Sequence, residues 1–255
     1  MRSFTFSVSY WVLSVTYAGA AAFAALTPSQ TATGWIIRRY VRHMVQAMRI
    51  FAGIHIEARG REHLPAGAFI VASKHQSWGD GFATYDQFDD LAFVTGDHLE
   101  RFPLMGTILR KLGAIVVNNC GGHDARQALA ARAADAHARG RRILIYPEGS
   151  LAKVGEKFRY RSGVWHMYRD FDMPVVPLAS NLGLFWPQEA YRKTPGRATL
   201  EFLPLIPTGL DKAEFLARLE AAVEDRTAEL IAEATGRPIT PAVLVTGPNE
   251  PAPAA

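Results

Sequence analysis

The sequence predicts an α/β fold: a mixed, mostly parallel sheet flanked by helices, standing behind an N-terminal helical membrane anchor. Three observations predict it. Short apolar runs alternate with helical stretches between about residues 53 and 235, the pattern of a sheet covered on both faces. Residues 3–37 carry no charge at all. A basic amphipathic segment follows directly.

The first element is "FTFSVSYWVLSVTYAGAAAFAAL", Phe4 to Leu26. As a helix rising about 1.5 Å per residue it is long enough to cross the hydrocarbon core. A cleaved signal peptide fits less well, because the apolar part is too long and only Arg2 supplies a positive leading region. In "WIIRRYVRHMVQAMRIFAGI", Ile37, Tyr40, Val41, Met44, Val45, Met48 and Phe51 recur at helical spacing, with Arg38, Arg42 and Arg49 on another face. Such a helix suits the plane of an anionic bilayer surface, and basic residues after an apolar segment place the remainder on the cytoplasmic side. Residues 1–52 are therefore expected to form the anchor.

Strands are expected at Ile54–Ala58, Ala68–Ala72, Leu91–Thr95, Ala114–Val117, Arg142–Tyr146, Val175–Ala179 and Thr199–Leu203. Helices are expected at Gly81–Phe88, Pro103–Lys111, Ala125–Arg139, Gly163–Arg169 and Lys212–Ala234. Together they make one α/β domain over residues 53–235. Residues 236–255, rich in proline and small residues, are expected to be a flexible tail.

At 255 residues the chain accommodates one well-buried domain with an appendage. A net charge of +4 and a sequence pI near 9.3 point to an anionic partner. Beside an uncharged N-terminal segment, that partner is a membrane surface rather than nucleic acid. The single cysteine, Cys120, excludes an intrachain disulfide and a cysteine-based zinc cage. The eight histidines show no paired ligand spacing, so no metal site is expected. Serine-hydrolase elbows, phosphate loops and dinucleotide fingerprints are absent.

Two strand ends carry chemistry. The run Phe69–Ala72 leads into His75, and Asp80 follows five residues later across a Ser-Trp-Gly turn. An imidazole takes a proton from a hydroxyl well when a carboxylate holds its second nitrogen. With no protein nucleophile beside it, the hydroxyl would come from the substrate. The alternative is a half-buried histidine bonded to backbone, with Asp80 capping the helix that starts at Gly81. The second end, "ILIYPEGSLAKVGEKFRYRSG", sets Glu148, Gly149 and Ser150 just after a buried strand, with Lys153, Lys157, Arg159 and Arg161 close behind. An acceptor group, a glycine and a cationic loop suit a polar head group. The aromatic stretches Phe185–Pro187 and Val164–Tyr168, including His166, read either as the lining of an apolar tunnel or as plain core.

In combination and order, these stretches resemble the glycerolipid acyltransferase family of the 1-acyl-sn-glycerol-3-phosphate acyltransferase type, from about Ile54 to Leu230. Its His-x4-Asp motif matches His75 and Asp80. A second motif is carried by "FVTGDHLERFPLMGTILRKLGAIVVNN", with Leu99, Pro103, Gly106 and Gly113. The third, usually Phe-Pro-Glu-Gly-Thr-Arg, stands here as Tyr146 to Leu151, and the fourth is the pair Val176-Pro177. The resemblance implies transfer of a fatty-acyl group from acyl-CoA or acyl carrier protein (acyl-ACP) to a lysolipid hydroxyl. His75 would be the base and Asp80 would orient it. Glu148, Gly149, Ser150, Lys153, Arg161, Pro103 and Gly106 would hold substrate, and no resident cofactor would be needed.

Three cations common in the family are missing, with Gly96, Asn119 and Leu151 in their places. Arginine reads phosphate through paired hydrogen bonds, so their loss weakens recognition of a phosphomonoester. Either Lys153, Lys157 or Arg161 takes over, or the acceptor is a different lysolipid such as lyso-ornithine lipid. A non-catalytic lipid binder is the third reading, although such a protein has no use for the His75 and Asp80 pair.

Overall fold

The computed structural model describes residues 1–27, 30–101, 105–117, 131 and 133–247. Seven strands form one sheet in the order β1-β8-β7-β2-β5-β3-β4. They are β1 (Ile54–Arg59), β2 (Ile70–Ser73), β3 (Leu91–Gly96), β4 (Ile115–Val117), β5 (Arg142–Ile145), β7 (Val175–Ser180) and β8 (Gly196–Phe202). Every pairing is parallel except β7 with β8. The sheet is thus mixed and mostly parallel, and all seven expected apolar runs lie in it.

The central strands β2 and β7 are buried along their whole length, as a parallel sheet covered on both faces requires. Alternation along them divides the core in two. Phe69, Val71, Leu144, Val176 and Leu178 face one cluster with Phe6, Met44, Met48 and Trp186. Ile70, Ala72, Ile143, Ile145 and Val175 face the other, with Val164, Met167, Phe215 and Leu219. Pro177 sits in the middle of β7 without breaking its ladder to β2. The Ile70 and Lys74 amides donate to the carbonyls of Pro174 and Leu178, so the missing donor of Pro177 falls on the opposite side.

Helices α1 (Arg2–Ala25) and α2 (Gln30–Ala47) form a hairpin on the first face, beside α3 (Asp80–Tyr85) and α4 (Met105–Leu112). On the second face lie α5 (Gly163–Asp170), α6 (Lys212–Thr235) and the helical residues 133–138. Helix α6 starts where the Asp211 carboxylate accepts the Glu214 N–H at 2.9 Å and ends on Gly236, whose φ of 66° closes the last turn.

The N-terminal hairpin differs from the expectation in one respect. The apolar stripe of α2 and of the π-helical turn Met48–Ala52 that continues it turns inward: Val41, Met44 and Met48 are buried in the domain core. Helix α1 is also fastened to the body. Phe6 meets the Trp186 ring edge-on at 4.9 Å, Ser14 Oγ bonds Tyr40 OH at 2.8 Å, and Tyr17 OH bonds His43 Nδ1 at 2.6 Å. The opposite side of α1 is bare, exposing Phe4, Val8, Trp11, Val12 and Val15. This is a helix long and apolar enough to cross a membrane, with little of it buried, and it suits association with a bilayer.

Of the two readings open for Phe185–Pro187, plain core is the one that holds for Phe185 and Trp186. One other expectation changes. Within the segment expected to be loose from Gly236, Val243–Leu244 (β9) pairs in parallel with Glu156–Lys157 (β6), strapping these residues to the loop before α5. A two-residue strand carries no alternation that a sequence pattern can report.

Candidate active site

His75 lies two residues beyond β2, where the strand opens into the turn that starts α3. The turn is local and tightly bonded: Asp80 N–H donates to the Ser77 carbonyl at 3.2 Å, and Gly79 N–H to Ser77 Oγ at 3.0 Å. A side chain at Gly79 would collide with Trp186, since a Cβ there falls 2.8 Å from the ring. The fold-back brings Asp80 Oδ2 to 3.0 Å from His75 Nδ1. The same oxygen accepts the backbone N–H groups of Gln76 and Ser77, each at 2.8 Å. Three donors thus converge on one buried carboxylate oxygen, which holds the imidazole by Nδ1 and leaves Nε2 for another partner. The capping alternative fails here, because the aspartate carboxylate serves the histidine as well as the turn.

The imidazole is 20% exposed and looks into a cleft of about 1120 Å³. One part of the cleft wall is apolar, built from Ile37, Tyr40 and Val41 of α2, Phe82 of α3, and Ile108, Leu109 and Leu112 of α4. Another part is polar, with Gly149, Ser150, Arg161, Ser162 and His166. Such a cleft accepts a long apolar chain at one side and a polar head at the other.

The predicted substrate residues separate into groups. Gly149, Ser150 and Arg161 line the cleft. Gly149 takes a φ of 69°, and a Cβ there would come within 2.7 Å of Arg161 Nε, so the missing side chain lets the guanidinium lie over the loop. Glu148 is a correction: it is 1% exposed, sits behind the cleft, and bonds Lys74 Nζ at 3.0 Å and the Phe158 N–H at 2.9 Å. A carboxylate after a strand turns to the nearest buried cation, and that cation is Lys74. Lys153 is also corrected, being an exposed residue paired with Glu189 at 3.0 Å. Lys157 pairs with Glu220 at 2.6 Å. Of the three cations considered as replacements, Arg161 is the one on the cleft wall. Gly106 lies in the first turn of α4 and does not line the cleft, although its neighbour Met105 does. Pro103, Asn119 and Cys120 lie outside the described residues. Gly96 and Leu151 both line the cleft as uncharged positions.

The sequence reading missed two features. The Tyr146 ring stacks on His75, with centroids 3.9 Å apart. Burial of its hydroxyl, and then the charge of Asp80, raise the Tyr146 phenol well above its usual range, so the ring is a neutral platform. The aromatic residue opening the third motif was the available signal. The second feature is the buried Lys74, whose available signal was a lysine two places beyond the apolar run Phe69–Ala72. Among the described residues, no group of three or more His, Cys, Asp or Glu side chains converges as a metal site would.

Comparison with known proteins bears on the family and the fold. The 1-acyl-sn-glycerol-3-phosphate acyltransferase of Pseudomonas aeruginosa is 27% identical over 210 residues, 82% of each chain. The lyso-ornithine lipid O-acyltransferase of the same species is 27% identical over 199 residues, 69% of this chain and 74% of the relative. The bovine 1-acyl-sn-glycerol-3-phosphate acyltransferase alpha is 24% identical over 173 residues, covering 67% of this chain and 60% of the relative. In fold, the chain is similar to the crystal structure of the 1-acyl-sn-glycerophosphate acyltransferase PlsC from Thermotoga maritima, with a TM-score of 0.72 at 19% identity, covering 91% of this chain and 95% of that one. The acyltransferase family profile matches residues 55–181. A match that starts within β1, ends just past β7 and contains both His75 and Asp80 places this chain in the acyltransferase family.

Proposed function

We propose that the protein moves a fatty-acyl group from acyl-CoA or acyl-ACP to the free hydroxyl of 1-acyl-sn-glycerol 3-phosphate, giving phosphatidic acid. The observation that carries the reading is the 3.0 Å contact between His75 Nδ1 and Asp80 Oδ2 at the wall of a largely apolar cleft. His75 Nε2 takes the acceptor's hydroxyl proton as its oxygen attacks the thioester carbonyl, and the buried Asp80 carboxylate stabilises the imidazolium that forms. The donor's sulfur leaves as a thiolate when the tetrahedral intermediate collapses, and the imidazolium gives it the proton, releasing the free thiol. The reaction calls for no resident cofactor, since the acyl donor arrives already activated. Arg161, with no ion pair among the described residues, is the cation assigned to the phosphate. Catalysis takes place at the cytoplasmic face of the membrane, where both kinds of acyl donor are found and where the basic residues after α1 belong.

A second reading is favoured by Gly96 and Leu151, which leave the cleft poorer in cations than a phosphomonoester site commonly is. In that reading the acceptor is a lysolipid without a phosphomonoester, such as lyso-ornithine lipid. An acceptor panel decides between them. Purified protein receives a labelled acyl thioester with lysophosphatidic acid, lyso-ornithine lipid or lysophosphatidylcholine. The expected outcome is fastest transfer to lysophosphatidic acid, loss of all transfer in His75→Ala, and a KM for that acceptor raised about tenfold or more in Arg161→Ala. Preference for lyso-ornithine lipid overturns the head-group assignment. Failure to acylate any lysolipid overturns the reaction itself.

A further inference from the structure

Lys74 stands one residue before His75, and alternation along the strand sends its side chain away from the cleft. It is wholly buried. Its ammonium meets Glu148 Oε2 at 3.0 Å, the Glu156 carbonyl at 3.1 Å, and the two Glu224 oxygens at 2.9 and 3.0 Å. An ammonium has three protons, so the two Glu224 oxygens share one of them and the donor set is fully used. Tyr160 OH adds a bond to Glu224 Oε1 at 2.9 Å. Burial and the neighbouring carboxylates raise the Tyr160 phenol well above its usual range and keep it a donor.

A buried ionic cluster of this kind seldom exceeds well-packed apolar residues in stability. What it holds is therefore the informative question. Glu148 Oε1 faces the His75 backbone N–H at 3.4 Å, and the His75 carbonyl accepts the Ala152 N–H at 2.8 Å. The main chain at position 75 is gripped on both sides by the loop that carries Gly149 and Ser150. The grip is anchored from behind by Glu224 of α6, which lies beyond the 55–181 stretch shared with the family.

We propose that Lys74, Glu148 and Glu224 are positioning residues for acyl transfer, a buried ionic lock that fixes the backbone of His75 against the Gly149–Ser150 loop. The proposal rests on the acyl-transfer reading above. It assigns Glu148 a place behind the histidine and not at the substrate, and it makes the C-terminal helix part of the catalytic apparatus.

The test compares Glu224→Gln, Glu224→Asp and the charge-neutralised double variant Lys74→Met with Glu224→Gln against the wild type. Steady-state kinetics are measured well below each variant's melting temperature, beside the downfield Nδ1 proton resonance of His75 in protein labelled with nitrogen-15 histidine. In the double variant kcat falls about 10- to 100-fold while both KM values stay within about threefold. The resonance broadens or disappears. Glu224→Gln shows the same split at smaller amplitude and carries the test if the double variant does not fold, and Glu224→Asp recovers most of kcat. Lower melting temperatures with wild-type kcat per folded molecule and an unchanged resonance would overturn the proposal. The resonance reads the lock without any substrate, so an unchanged signal defeats the lock whatever the enzyme acylates. Absence of transfer by the wild type defeats the reaction alone.

Discussion

The His75 imidazole lies almost flat on the Tyr146 ring, the planes 18° from parallel and the centroids 3.9 Å apart. One nitrogen is tied to Asp80 and one ring face is covered, so two constraints of different kind define the direction of Nε2. Removing the platform in Tyr146→Ala leaves the ring free to rotate about its remaining bond. We expect kcat to fall about tenfold or more, with little change in KM. Tyr146→Phe keeps the stacked face and retains most of kcat, consistent with the phenylalanine usual at this place in the third motif. Paired kinetics of the two variants check the point.

Asp80→Asn is informative because a single oxygen, Oδ2, serves His75, Gln76 and Ser77. An asparagine that puts its carbonyl there preserves all three bonds and the tautomer. What it loses is the negative charge beside the imidazolium. The expected loss in kcat is about 10²-fold or more, without loss of fold. Asp80→Ala, which also strands two buried amides, lowers both activity and melting temperature. Kinetics together with calorimetry separate the two contributions.

Glu148 gives a pH signature. Burial foremost raises its carboxyl above the usual 4.5, and the Glu224 charge adds to this, although the Lys74 ammonium pulls the other way. Where the folded-state value exceeds the unfolded one, the native protein holds more protons, and stability falls as pH rises through that interval. The contribution is complete below 4.5 and is lost by the folded-state value. Relative to Glu148→Gln, the wild type therefore becomes less stable as pH climbs above about 4.5. Denaturant melts of both proteins across that range check the sign.

Membrane attachment is best tested on the bare side of α1. Deleting residues 1–52 would remove Phe6, Met44 and Met48 from the core, so loss of binding would be confounded with unfolding. Trp11→Asp with Val15→Asp alters side chains that are 66% and 69% exposed. Each charge costs up to about 3 kcal/mol at bilayer depth. The expected result in a vesicle sedimentation assay is release into the supernatant, with a wild-type circular dichroism spectrum.

The sheet was legible because each strand is a short apolar run bounded by glycine, proline or charge, and the His75 to Asp80 contact because only five residues separate the partners. The apolar period of α2 was equally legible, but 3.6-residue spacing is the same whether Met44 and Met48 face lipid or protein. Which cation of the 153–161 loop faces the cleft depends on pairings with Glu189 and Glu220, set by tertiary folding and not by spacing. The Lys74 lock was hidden for a related reason. Glu224 is 150 residues away along the chain, and no periodicity links a strand end to the middle of a distant helix.

Helix α2 supplies cleft wall through Ile37, Tyr40 and Val41 and is packed along α1, whose outer side is apolar. A substrate tail passing from one to the other need not be lifted through water. Turnover in such an arrangement is governed by two-dimensional concentration, the mole fraction of acceptor in the lipid sheet, and inert detergent or phospholipid slows it by surface dilution even when the total amount of acceptor is unchanged.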